Sequence, residues 1–82
     1  MESKNDRFVR LAESRVNSVI EKIHLISNLS NRRNYEYSKE EVMELFEAIE
    51  IEIQQSKKLF EAELSAELSK DRSKFKFSKK RG

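Results

Sequence analysis

The chain has 82 residues, which excludes two ordinary domains and limits any single core. It has no cysteine and no proline, and its one glycine is Gly82. Disulfide frameworks, thiolate metal sites, glycine-rich phosphate loops and tight hairpin turns therefore lack the residues they need. Charged residues make up 39% and the mean hydropathy is −0.82, so no stretch approaches a membrane span.

The first residues, Met1-Glu2-Ser3-Lys4, carry no apolar run of a signal peptide, and a cytoplasmic location is expected. The net charge of +2 is distributed in blocks. Residues 1–35 carry seven Lys/Arg against four acids, or +3. Residues 36–69 carry ten glutamates against three lysines, or −7, and residues 70–82 carry seven Lys/Arg against Asp71, or +6. A basic first segment beside an acidic second one suits antiparallel packing, within a chain or between copies. Exposed pairs contribute only ~0–1 kcal/mol each, so the blocks also suit plain solvated faces.

The first predicted helix runs from about residue 6 to about residue 28. Val9, Ala12, Val16, Val19, Ile23 and Ile26 recur in steps of three and four, and Phe8 and Ile20 widen the stripe. Asp6 is the expected N-cap. Asn31 and Asn34 are the expected stop signals, since asparagine tolerates left-handed backbone angles. A second row, Leu11, Arg15, Ser18, Lys22, Leu25 and Leu29, places three leucines outside the main stripe.

The second predicted helix spans about residues 39–68. Ser38-Lys39-Glu40-Glu41 reads as a capping box, and Tyr37 is placed to staple onto Val42. The stripe continues through Val42, Leu45, Phe46, Ile49, Ile53, Ser56 and Phe60. Beyond Phe60 the pattern degrades, because Glu63 and Glu67 fall on the apolar face. That extension is expected to be a frayed end or a partner-dependent segment.

The expected fold is all-α: an antiparallel helical hairpin over 1–69, followed by a flexible basic tail over 70–82. Two helices share one seam, and an isolated pair is marginal in water. Both stripes are wider than one seam requires. A second copy is the simplest cover, giving a homodimeric four-helix bundle built on Val9, Val16, Val19, Ile23, Ile26, Val42, Phe46, Ile49, Ile53 and Phe60.

Two segments are expected to meet a partner. The connection holds Asn31, Arg32, Arg33, Asn34, Tyr35 and Tyr37. Arginine recognises phosphate or carboxylate bidentately, and tyrosine stacks on bases or anchors protein interfaces. A structural reading competes, with the tyrosines closing the bundle end and the arginines offsetting the dipole of the first helix. The tail interleaves Arg72, Lys74, Lys76, Lys79, Lys80 and Arg81 with Phe75 and Phe77, a mixture suited to phosphate contact with base stacking. Its alternation equally suits an added strand on a partner's sheet edge, or a solubilising tail.

No residue set points to catalysis. His24 is the single histidine, and the glutamates decorate a helix without converging. No cofactor, metal or small-molecule ligand is expected, and the chain is read as a non-enzyme.

The block Asn28-Leu29-Ser30-Asn31-Arg32-Arg33-Asn34-Tyr35-Glu36-Tyr37-Ser38, with the flanking helices over roughly residues 7–60, resembles a family of small bacterial helical-hairpin proteins carried near mobile elements or defence loci. The resemblance implies an accessory factor of a CRISPR nuclease, a dimer that docks on a Cas9-like effector and modulates its hold on DNA. The leading functional expectation is thus a dimeric binding module for a larger protein or nucleoprotein. The alternatives are a small regulator that binds nucleic acid directly, and an inhibitor whose acidic helix mimics DNA phosphates.

Overall fold

The computed structural model describes residues 1–76, with side chains through residue 67. Two helices, α1 (Lys4–Asn28) and α2 (Lys39–Lys76), account for the regular structure, and no strand occurs among the described residues. The all-α expectation holds at this level. The chain divides into two units at Tyr37/Ser38.

α1 begins earlier than expected. Its N-cap is Ser3, in an extended conformation, and Asp6 is the third helical residue. The Asp6 amide donates to Ser3 Oγ at 3.0 Å, and the Ser3 amide donates to Asp6 Oδ2 at 3.3 Å. The Asp6 carboxylate thus works backwards in a capping box, satisfying an amide that helix geometry leaves open. Ahead of the cap, Glu2 accepts a two-pronged contact from Arg10, with Nε at 2.7 Å and Nη2 at 3.0 Å. The Arg10 guanidinium holds the Glu2 carboxyl below its ordinary value of 4.5, and Glu2 in turn raises Arg10.

α1 ends without a left-handed residue, since no non-glycine residue among those described has positive φ. The expected use of Asn31 and Asn34 as left-handed stops is therefore replaced by another device. Successive amides tighten onto carbonyls three residues back: Leu29 to Ile26, Ser30 to Ser27 and Asn31 to Asn28. These bonds satisfy carbonyls at the helix end. Asn31 then turns the chain with its side chain, its Oδ1 accepting from the Arg33 amide at 3.0 Å.

α2 starts as its sequence indicates. The Glu41 amide donates to Ser38 Oγ at 3.0 Å, and the Ser38 amide donates to Glu41 Oε1 at 2.8 Å. Glu40 and Glu41 occupy the first turn, where carboxylates meet the positive end of the helix dipole. Its far end departs from expectation. The helix continues to Lys76, so residues 70–76, read as the start of a flexible tail, have helical backbone. Residues 74–76 of the Lys-Phe-Lys run, for which an added strand on a partner's sheet edge was one reading, have helical backbone in the chain alone. Alanine, leucine, glutamate, lysine and arginine dominate 61–76, with no glycine or proline to stop the helix. Propensity carries it past the point where the apolar stripe lapses. The tail positions Phe77, Lys79, Lys80 and Arg81 lie outside the described residues.

None of the side chains through residue 67 is buried. The most sheltered are Leu11, Ala12 and Ile26 on α1, Tyr37 in the connection, and Val42, Leu45 and Ile49 on α2, all half-buried.

Two expectations follow. Ser38→Ala removes a cap worth ~1 kcal/mol and lowers the thermal midpoint by roughly 4–8 °C in a chain of this size, read by circular dichroism. Because the folded-state pKa of Glu2 lies below 4.5, its contribution is present above that value and disappears as pH falls through the lowered midpoint. Carboxyl titration by NMR should show this depressed midpoint, and Arg10→Ala should return it to about 4.5.

Candidate interaction surface

A helix turns 100° per residue, so positions separated by three, four and seven share a face. On α1 this brings Val9, Ala12, Val16, Val19, Ile23 and Ile26 into one stripe. Val9, Val16, Val19, Ile20 and Ile23 are all exposed, and Val16 and Val19 each keep 55% of their surface. On α2 the stripe combines half-buried Val42, Leu45 and Ile49 with exposed Phe46, Ile53 and Phe60. The residues expected to form a core are thus gathered on one face of each helix. Leu25 and Leu29 of the second row on α1 are also exposed, while Leu11 is half-buried. Met43, Ile51 and Leu59 add exposed apolar groups on α2 that the stripe does not contain. Rotation by 100° per residue spreads these three around the helix, so they form no second row.

The connection between the helices is more ordered than its polarity suggests. The Tyr37 hydroxyl donates to the Ser30 carbonyl at 2.8 Å, and the Arg32 guanidinium lies 4.4 Å from the centre of the Tyr37 ring. Cation–π contact at an exposed site contributes ~0.5–1 kcal/mol. The Asn34 and Tyr35 amides both donate to the Asn31 carbonyl, at 3.1 and 3.0 Å. Of the six residues expected to face a partner, Asn31, Arg32 and Tyr37 are therefore engaged in holding the loop. Arg33, Asn34 and Tyr35 have exposed side chains, with Tyr35 at 48%. This half of the segment offers a guanidinium, an amide and a phenol on a braced backbone.

Sequence reading did not identify the Glu2–Arg10 pair, the Ser3 cap or the Arg32–Tyr37 stack. The Ser3-x-x-Asp6 spacing carried the cap signal, with aspartate where glutamate is more usual. Nothing in the local pattern marked the stack, because its partners are five residues apart in irregular backbone.

Other features lack convergent chemistry. Among the described residues no group of three or more His, Cys, Asp or Glu side chains is arranged to hold a metal. A shallow depression of about 270 Å³ on α2 is lined by Glu63, Leu64, Ala66 and Glu67, neighbours on one helix with no facing wall. No helix of the described residues is long and apolar enough to cross a membrane. Comparison with known proteins finds no matching family model, no matching curated protein and no matching solved structure.

Tyr37→Phe removes the bond to Ser30 while keeping the ring beneath Arg32. We expect a loss of ~0.5–1 kcal/mol and persistence of the upfield-shifted Arg32 side-chain protons in NMR spectra. Tyr37→Ala should abolish that ring-current shift. Unshifted Arg32 protons in the unsubstituted chain would contradict the stack.

Proposed function

We propose that the chain is a non-enzymatic binding module. Its two helices fold as an antiparallel hairpin, and two hairpins associate into a four-helix bundle. The bundle presents Arg33, Tyr35 and the basic C-terminal segment to a larger protein or nucleoprotein. The observation that carries this reading is the exposure of both apolar stripes. Val16, Val19, Ile23 and Ile53 lie on regular, well-capped helices yet remain in contact with solvent. Apolar surface of this kind, arranged in a contiguous row, marks an interaction face. A twofold dimer is the commonest way for a small helical chain to cover it.

The partner-facing half of the proposal rests on charge. The +6 block at 70–82 would favour phosphate, and Arg33 adds a guanidinium at the loop. A dimer carries each of these twice, so it could bridge two effectors or grip one by avidity. The Cas9-like nuclease implied by the sequence resemblance is one effector of this kind.

Ile49→Glu places a charge in the proposed interface and should weaken self-association at least ~100-fold, read by light scattering. A tagged full-length chain should retain a large protein from native extract after nuclease treatment. Partners lost on nuclease treatment would instead favour direct nucleic-acid binding through the +6 block.

A further inference from the structure

α2 is longer than α1 can cover. α1 has 25 residues and α2 has 38. The apolar stripe of α2 ends at Phe60. Laying α1 along that stripe, from the same chain or from another, therefore leaves about 13 residues at the far end of α2, or about 20 Å of helix. That end holds Lys70, Arg72, Lys74 and Lys76, four of the seven Lys/Arg of the +6 block, with Asp71 among them.

Helical backbone through Lys76 decides how these residues are distributed. At 100° per residue, positions 70 and 74 share one side of the helix, and positions 72 and 76 share the nearly opposite side. Position 71, the one acid, falls in one arc between the two rows. Positions 69 and 73, both serine, fall in the other arc.

Two opposed basic rows select the shape of the anionic partner. A flat anionic surface is met by cations on one face. A partner with a wall of charge on each side of the helix meets both rows. The major groove of B-form DNA is about 12 Å wide, admits one α-helix and has a phosphate strand along either wall. With the serine arc toward its floor, positions 70 and 74 lie toward one wall and positions 72 and 76 toward the other. Asp71 is then the position farthest from the phosphates. The major groove of an RNA duplex is too narrow and deep for this placement, and a single strand has no walls.

The residues just before the block set a boundary. Glu61, Glu63 and Glu67 are exposed, and no cation among residues 1–67 pairs with them. They repel phosphate, which confines contact to Lys70 and beyond. Within the block, Lys70 and Lys74, and likewise Arg72 and Lys76, are like charges four residues apart, an arrangement that weakens an isolated helix. Phosphate on both sides relieves that repulsion, so binding and helix formation are linked.

We infer that the end of α2, from Lys70 onward, is a helix for the major groove of double-stranded DNA, held by the phosphates of both strands. The inference rests on the reading of the +6 block as facing a nucleoprotein, and it names the partner class of that block.

The full-length chain titrated into three labelled probes tests it: a DNA duplex of mixed sequence, one of its strands alone, and the matching RNA duplex. Fluorescence anisotropy over a range of salt should show the DNA duplex bound most tightly. Four phosphate contacts give a slope of log affinity against log salt of at least about −3.6. Helix content in circular dichroism should rise on adding the DNA duplex. Lys70→Ala/Lys74→Ala and Arg72→Ala/Lys76→Ala should each reduce the slope by about 1.8 and weaken binding about tenfold or more at low salt. Ser73→Pro keeps every charge but breaks the helix, and it should abolish the preference for duplex DNA, whereas Ser73→Ala should keep it. Equal binding of all three probes, or a Ser73→Pro chain that binds the DNA duplex like wild type, would overturn the groove helix while leaving a nucleic-acid partner standing. A loss confined to one of the two double variants would overturn the two-walled placement. No binding to any probe would instead overturn the reading of the block on which the inference rests.

Discussion

The governing constraint is the hydrophobic surface that the helices gather and leave uncovered. Capping, propensity and the absence of helix breakers organise the apolar residues of α1 and α2 into rows, but none of the described side chains is buried. Fully burying one valine, leucine or isoleucine contributes roughly 1.5–3 kcal/mol. Local hydrogen bonds of the kind seen at Ser3, Ser38 and Tyr37 contribute about a third of that each. Caps therefore decide where the helices begin, and covering the stripes decides whether the folded chain is stable. On the proposed reading, the stability of the chain is linked to association.

Electrostatics supplies the selectivity that apolar stripes lack. Valine and isoleucine rows would tolerate several partners and registers. The division of charge into +3, −7 and +6 blocks narrows the choice. On the proposed reading, it disfavours contact between like helices, favours contact between unlike ones, and suits the last block to an anionic partner. Exposed ion pairs are individually weak, so on that reading charge acts on partner choice more than on total stability.

The parts of the fold that depend on short-range chemistry were legible in the sequence. Ser38 and Glu41 form the expected capping box, and α1 follows its three-four periodicity to Asn28. Asp6 was placed on the right helix end but given the wrong task. Either Ser3 or Asp6 could cap, and the pattern alone did not show that the aspartate would reach back. The end of α2 was misjudged because periodicity and propensity part company after Phe60. The stripe lapses there, while strong helix formers carry the backbone to Lys76. In the connection, Asn31 and Arg32, read as contact residues, also hold the loop's own geometry, while Arg33, Asn34 and Tyr35 keep exposed side chains. Which side of a polar segment turns inward depends on contacts between irregular residues, and no periodicity records them.

The central claim is that the apolar stripes are covered by association. Thermal unfolding followed by circular dichroism over a hundredfold range of chain concentration tests it most directly. Coupled folding and dimerisation predicts a midpoint that rises with concentration, because mass action stabilises the associated state. A cooperative transition with the same midpoint at every concentration, in a species of 9.8 kDa, would contradict the account.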